Sequence, residues 1–115
     1  MIPISSASRF FLYAETADMR KSFDGLCGII YSQLKSDPLS GDVYLFMNRR
    51  RDRIKMLVWD KSGFWLLYKR LESGRFQLPQ PTIDEKSIEV SYDVLVMLIE
   101  GVDIDFIRRK KRYKG

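Results

Sequence analysis

The sequence predicts an α+β domain, in which an antiparallel β-meander of three to four strands carries one long packed helix and a shorter C-terminal helix. Three observations support this fold class. Residues 43–70 hold three short runs rich in aromatic and β-branched side chains, separated by short turns. Residues 21–35 repeat apolar side chains at helical spacing. A second, shorter helical pattern follows Ser91.

Length and composition bound what the chain can be. With 115 residues, 45% hydrophobic and 30% charged, it fits one domain over residues 1–106, followed by a basic tail over residues 107–115. No apolar run approaches the roughly 20 residues that span a bilayer, and residues 1–10 lack the pattern of a secretory leader. We therefore expect a cytoplasmic protein with no membrane contact.

The residue inventory also restricts the chemistry. Cys27 is the only cysteine and there is no histidine, which excludes an internal disulfide, the usual zinc sites and hydrolases that use a histidine base. No metal or other cofactor is expected. Catalysis would have to rest on carboxylates or lysine.

The N-terminal part predicts a strand and then a helix. Arg9–Ala14 reads as a short aromatic strand. Lys21–Lys35 reads as an amphipathic helix, which Thr16 or Asp18 could cap and which Asp37-Pro38 ends, because the residue before proline disfavours helical geometry. The apolar stripe of this helix consists of Phe23, Leu26, Cys27, Ile30, Tyr31 and Leu34.

The middle of the chain predicts the meander, with strands at Val43–Met47, Arg53–Trp59 and Phe64–Arg70. The link 60–63 suits a three-residue hairpin loop with Gly63 in the left-handed conformation. That loop places residue 60 opposite residue 64. One face of the hairpin would then carry Lys55, Leu57, Trp59, Trp65, Leu67 and Lys69.

This register has an electrostatic consequence. It sets Lys55 directly opposite Lys69, and like charges across a strand pair are destabilising. We therefore expect an anion to be bound near this pair.

After the meander the pattern loosens. Gly74, Pro79 and Pro81 mark a linker or surface strap. Ser91 then caps the second helix, and Gly101 stops it. The apolar stripe of this helix consists of Val94, Leu95, Leu98 and Ile99.

Charge is concentrated in two clusters. Five of the 20 Lys and Arg residues lie between positions 49 and 55, and six lie between positions 108 and 114 with no acidic residue among them. Clustered cations of this kind raise affinity for phosphates without specifying a base sequence. The candidate DNA-binding residues are Arg20, Lys21, Arg49, Arg50, Arg51, Arg53, Lys55, Lys69, Arg70, Arg108, Arg109, Lys110, Lys111 and Arg112.

Each cluster also has a plainer interpretation. The arginine loop could be solvated surface, and the tail could serve only to solvate the chain. Arg20 and Lys21 stand where the first helix begins, so they could help bind a phosphate there, or they could form ordinary ion pairs with Asp24. The sequence leaves these alternatives open.

Trp59 and Trp65 are the candidate partner-binding residues, and they have three interpretations. They could stack on exposed bases, since aromatic residues beside lysines often hold single strands. They could be core residues covered by the second helix, which is the commoner fate of tryptophan in a small domain. They could also form a docking surface for another protein.

Three acidic residues raise the possibility of a metal-dependent nuclease, namely Asp42, Asp60 and Glu72. Ordinary roles explain each of them. Asp60 and Asp42 belong to turns, and Glu72 lies beside the basic Lys69 and Arg70. The sequence thus favours a noncatalytic protein.

Three segments resemble one family in the same order along the chain. They are Asp18–Leu26 (DMRKSFDGL), Phe46–Lys55 (FMNRRRDRIK) and Tyr68–Phe76 (YKRLESGRF). Together they resemble the accessory proteins of insertion sequence 66, the TnpB-type products of its second reading frame, which are unrelated to the RNA-guided nuclease of the same name. The resemblance spans Pro3 to about Phe106. The chain departs from the usual pattern at Ser22 and within 48–51, where the family often has glycine.

The resemblance implies a role in transposition beside a separate, larger transposase that holds the catalytic carboxylates. We therefore expect a noncatalytic accessory protein that binds DNA, in particular the transposon ends, and that contacts the transposase. A protein-only adaptor and a metal-dependent nuclease are the alternatives. An adaptor would lack the steep salt dependence that counterion release gives to DNA binding.

Overall fold

The computed structural model describes residues 4–79 and 84–101. Their strands and helices are, in chain order, β1 (Phe10–Thr16), α1 (Phe23–Ser32), β2 (Val43–Met47), β3 (Arg53–Asp60), β4 (Gly63–Arg70), β5 (Ser87–Val90) and α2 (Tyr92–Ile99). The strands form one sheet in the order β4-β3-β2-β1-β5. The α+β class is confirmed, but the sheet is larger than expected and is mixed.

The antiparallel meander is present as β2-β3-β4. Two features surround it that the expected fold lacked. β1 pairs with β2 in parallel, because α1 carries the chain back across the sheet and both strands then run the same way. β5 adds an antiparallel edge strand beside β1. The expectation of a purely antiparallel sheet of three to four strands was therefore wrong.

The two helices cover opposite faces of the sheet. On the face covered by α1 (the α1 face), Leu26 and Ile30 pack against a cluster that includes Phe46. On the face covered by α2 (the α2 face), Leu95 and Leu98 pack against a cluster that includes Leu45. All five residues of β2 are buried, since both of its faces are covered.

The β3–β4 hairpin has a different turn from the expected one. Asp60 pairs with Gly63, which leaves a two-residue loop of Lys61 and Ser62. The Ser62 amide donates to the Asp60 carbonyl, and Lys61, not Gly63, has a positive φ, of 42°. The predicted register was therefore wrong by one residue, which turns every β4 side chain to the other face.

The corrected register changes which residues meet. Lys55 lies opposite Tyr68, and Lys69 lies opposite Ile54, so the predicted Lys55–Lys69 pair does not form. Like charges still meet across this hairpin, because Arg53 lies opposite Arg70, next to the Ile54–Lys69 pair.

The two tryptophans are separated by the same change. Trp59 is on the α1 face and stacks edge-on with Phe64, with ring centroids 5.0 Å apart. Trp65 is on the α2 face, is 41% exposed and donates from Nε1 to Asp60 at 3.3 Å. The prediction of one tryptophan face covered by the second helix was therefore wrong.

Helix α1 is shorter than the expected Lys21–Lys35. It begins at Phe23, and Ser22 takes the N-cap position, although the Ser22 side chain makes no capping hydrogen bond. The predicted caps, Thr16 and Asp18, therefore do not cap this helix. Of the predicted stripe, Tyr31 is 74% exposed and Phe23 is 42% exposed, while Leu26 and Ile30 are buried.

Helix α2 follows its prediction closely. The Ser91 hydroxyl accepts a hydrogen bond from the Val94 amide at 3.2 Å. Gly101 follows the helix with a φ of 78°. Within residues 4–79 and 84–101, no helix has the length and apolar character needed to cross a bilayer.

Candidate nucleic-acid interface

The β2–β3 loop is organised by Asn48. Its side-chain oxygen accepts from the amides of Asp52 and Arg53 at 3.1 and 3.0 Å, and its amide nitrogen donates to Asp52 at 2.6 Å. Arg51 takes a left-handed conformation with a φ of 60°, and its amide closes the turn onto the Asn48 carbonyl at 3.1 Å. This network engages the Asn48 side chain together with the amide and one carboxylate oxygen of Asp52. The side chains of Arg49, Arg50 and Arg51 are left exposed.

The connection after β4 packs on this loop. The Leu71 amide donates to the Asp52 carbonyl at 2.7 Å, and the Phe76 amide donates to the Arg51 carbonyl at 2.6 Å. Phe76 is 1% exposed and belongs to the core of the α2 face. The expected strap therefore contributes to the core, and it brings the exposed Arg75 next to the arginine loop.

The fold gathers most of the predicted cations at one end of the sheet. Here β2 ends, β3 begins, β4 ends and the segment leading into α1 passes by. We call this region the basic end. Its accessible cations are Arg20, Lys21, Arg49, Arg50, Arg51, Arg53, Lys69, Arg70 and Arg75.

Arg53 and Arg70 line an open depression of about 380 Å³ together with Tyr68 and Glu72. Arg70 donates from Nε and Nη2 to one carboxylate oxygen of Glu72, at 3.2 and 3.0 Å. This ion pair is exposed, so it stabilises the fold by at most about 1 kcal/mol, and another anion can displace Glu72 from Arg70. Two arginines and one glutamate line the depression, so it retains one net positive charge.

Lys55 has a different role from the one predicted. It is 6% exposed, and its ammonium group donates to the carbonyls of Met19 and Lys21, both at 2.7 Å. The same group lies 4.9 Å from the centre of the Tyr68 ring. Lys55 is therefore not a free cation for phosphate. It holds the segment with Arg20 and Lys21 against the hairpin.

Replacing Lys55 by methionine is expected to lower the free energy of unfolding by about 1–3 kcal/mol, because two carbonyls lose their donor while the apolar stem is kept. Urea unfolding measures this change. Lys69→Met is the matched control. Lys69 is exposed and donates to the carbonyl of Ile99 at 2.8 Å, at the end of α2, so its loss should cost less than about 1 kcal/mol. Equal costs for the two variants would contradict the assigned role of Lys55.

Arg20 pairs with Asp18 instead of Asp24. Its guanidinium donates to both Asp18 oxygens, with a shortest contact of 2.7 Å, and the Arg20 amide donates to the same carboxylate at 2.9 Å. These hydrogen bonds lower the pKa of Asp18 from 3.8 to about 2. The Arg20 side chain remains 92% exposed in the pair. The predicted Asp24 pair is not formed by Arg20.

The tryptophans lie at the other end of the hairpin. Trp59 is six residues along β3 from Arg53, which corresponds to roughly 20 Å. Base stacking on the tryptophans would thus take place away from the basic end. The residues that sequence reasoning missed are Tyr68 and Arg75. The signal for Tyr68 was an aromatic residue directly followed by two cations in a strand.

The three carboxylates considered for a nuclease are not brought together. Glu72 follows β4 at the basic end, whereas Asp42 precedes β2 and Asp60 ends β3 at the opposite end. In the described part of the chain, no three His, Cys, Asp or Glu residues are grouped so as to hold a metal ion. The predicted tail cations, Arg108, Arg109, Lys110, Lys111 and Arg112, lie outside the described residues.

Comparison with known families agrees with the sequence resemblance. The model of the family described as IS66 Orf2 like protein matches residues 8–109. The chain belongs to this family. IS66 Orf2-like proteins are associated with transposition of an insertion sequence, so this chain is a transposition-associated accessory protein.

Two relatives from Sinorhizobium fredii (strain NBRC 101917 / NGR234) extend this result. One, named "Uncharacterized protein y4jC", is 33% identical over 110 residues, covering 96% of this chain and 92% of the relative. The other, named "Uncharacterized protein y4hO", is 31% identical over 103 residues, covering 90% of this chain and 88% of the relative. No solved structure matches the chain.

Proposed function

We propose that this IS66 Orf2-like protein is a noncatalytic accessory factor that binds DNA through the basic end of its sheet and assists the transposase of the same element. The observation that carries the proposal is the cross-strand pair Arg53–Arg70 beside the ordered arginine loop. Arg53 and Arg70 lie opposite each other, and Glu72 neutralises only one of the two charges, so the pair still attracts a further anion. DNA phosphate supplies that anion, and the arginine fork matches its geometry.

The arrangement suits phosphate contact better than plain surface charge does. The backbone of the loop is fixed by the Asn48 side chain and by two hydrogen bonds from the connection after β4. An ordered loop loses less conformational entropy on binding than a free one. Arg20 and Lys21 are tied to the same end through Lys55. The basic tail, which follows α2 in the chain, would add nonspecific affinity.

Contact with the transposase is assigned to the opposite end of the hairpin. Trp65 is 41% exposed there, and exposed tryptophan is enriched at protein interfaces. Trp59 lies nearby on the other face. This separation would let one molecule bind DNA and protein at the same time.

The test is equilibrium binding of the purified protein to labelled transposon-end duplex and to a scrambled duplex across a salt series. We expect binding whose affinity falls steeply and linearly on logarithmic axes, with a slope of about −0.9 for each phosphate contacted. Preference for the end duplex would make the protein an end-recognition subunit, and equal affinity would make it a nonspecific clamp. Absence of binding to both would overturn the proposal and favour the adaptor that uses the Trp65 surface.

A further inference from the structure

Tyr68 is an exposed aromatic residue at the basic end. It lies in the edge strand β4, is 52% exposed and lines the depression between Arg53 and Arg70. Among the described residues, no hydrogen bond is formed by its hydroxyl group. Folding of this part of the chain thus leaves the hydroxyl group and about half of the residue's surface available.

The ring is nevertheless held in position. The Lys55 ammonium group lies 4.9 Å from its centre, a distance typical of a cation–π contact. That ammonium is itself fixed by the two carbonyls of Met19 and Lys21. The Tyr68 ring is therefore anchored by Lys55, while the residue as a whole stays 52% exposed.

Charge and size around the ring define what could bind there. Arg53 and Arg70 flank Tyr68, and only Glu72 opposes them within the depression. The volume of about 380 Å³ lies at the lower end of the range for small-ligand sites and suits one nucleotide. An aromatic face between two phosphate-binding cations is the arrangement by which proteins hold unpaired bases.

We propose that this depression binds one unpaired nucleotide of DNA, with its base stacked on Tyr68 and its phosphate held by Arg53 and Arg70. The inference rests on the proposed function and makes it more specific. A base within a duplex has both faces covered by its neighbours, so only a base outside the stack can reach the ring. The preferred ligand is then DNA with a single-stranded segment, such as a tail or a gap.

The test compares three labelled DNAs: a blunt duplex, the same duplex with a five-nucleotide single-stranded tail, and the single strand alone. The wild-type protein is expected to bind the tailed duplex at least about fivefold more tightly than the blunt one, the lower limit for stacking one base. Tyr68→Leu should remove this preference, so that the variant binds the tailed and the blunt duplex with equal affinity. Tyr68→Phe, which keeps the ring, should retain it.

Tyr31→Leu is the matched control, since Tyr31 is 74% exposed on α1 and should not affect the preference. Photocrosslinking of the wild-type protein provides a second test, one that does not depend on whether the variants fold. Photocrosslinking with 5-bromodeoxyuridine in the tail should give an adduct at Tyr68, found by mass spectrometry.

The outcomes separate this inference from the function on which it rests. Salt-sensitive binding without preference for the tail, a preference that survives Tyr68→Leu, or a crosslink confined to another residue would overturn the inference and leave the proposed function standing. Failure to bind any of the three DNAs would overturn both.

Discussion

Leu45→Ala and Phe46→Ala are each expected to lower the free energy of unfolding by about 2–5 kcal/mol, although the two residues are neighbours and point to opposite faces of β2. Both are 0% exposed. Leu45 belongs to the cluster that contains the α2 leucines, and Phe46 belongs to the cluster that contains Leu26 and Ile30 of α1. Each substitution would leave a cavity in a different layer of the protein.

Together, the two substitutions distinguish a fold with one helix on each face of the sheet from a fold with both helices on the same face. If both helices covered the same face, one of these side chains would face solvent and its truncation would be cheap. Urea unfolding followed by circular dichroism measures both changes. Leu39→Ala and Phe23→Ala are the controls, because those side chains are 53% and 42% exposed and should lose less than about 1 kcal/mol. A loss of unfolding free energy below about 1 kcal/mol at either Leu45 or Phe46 would contradict the arrangement in which α1 and α2 cover opposite faces of the sheet.

Local pattern was sufficient to find most of the secondary structure. The second predicted strand, Val43–Met47, agrees in both bounds, and the next two agree to within one residue at each end. β5 was missed because Ser87–Val90 is only four residues long, which is too short for its alternating polar and apolar side chains to stand out as a strand. The five consecutive apolar residues of β2 were a signal of burial on both faces, and thus of a helix on each side.

The hairpin register depended on one turn. The segment Asp60–Gly63 predicts a three-residue loop, because glycine is the residue that most often adopts the left-handed backbone conformation. The chain instead places Lys61 in that region and pairs Gly63 with Asp60. Since side chains alternate along a strand, this single choice misplaced Lys69, Trp65 and Tyr68 together.

The basic surface was predictable in part. Sequence clustering identified the arginine loop, but only the pairing of β3 with β4 shows that Arg53 and Arg70 face each other. Sequence also cannot distinguish a buried lysine from an exposed one. Lys55 can be buried because two backbone carbonyls, 34 and 36 residues earlier in the chain, accept hydrogen bonds from its ammonium group.

The double variant Arg53→Ala/Arg70→Ala is expected to lose DNA affinity on the order of 10- to 100-fold at low salt, since each arginine is proposed to make charge-assisted hydrogen bonds to phosphate. Its stability should be little changed, because the substitution removes two like charges that face each other and loses only the exposed Arg70–Glu72 ion pair. The matched control is Lys35→Ala/Lys61→Ala. It removes the same net charge from exposed positions away from the basic end, after α1 and in the β3–β4 turn.

The salt dependence of DNA binding by these three proteins tests the proposed interface most directly. The slope of log affinity against log salt should become shallower by about 2 in the Arg53/Arg70 variant, one unit for each lost phosphate contact, and should stay at the wild-type value in the control. An Arg53/Arg70 variant with wild-type affinity and slope, or a control that loses as much as the variant, would contradict binding of DNA at the basic end.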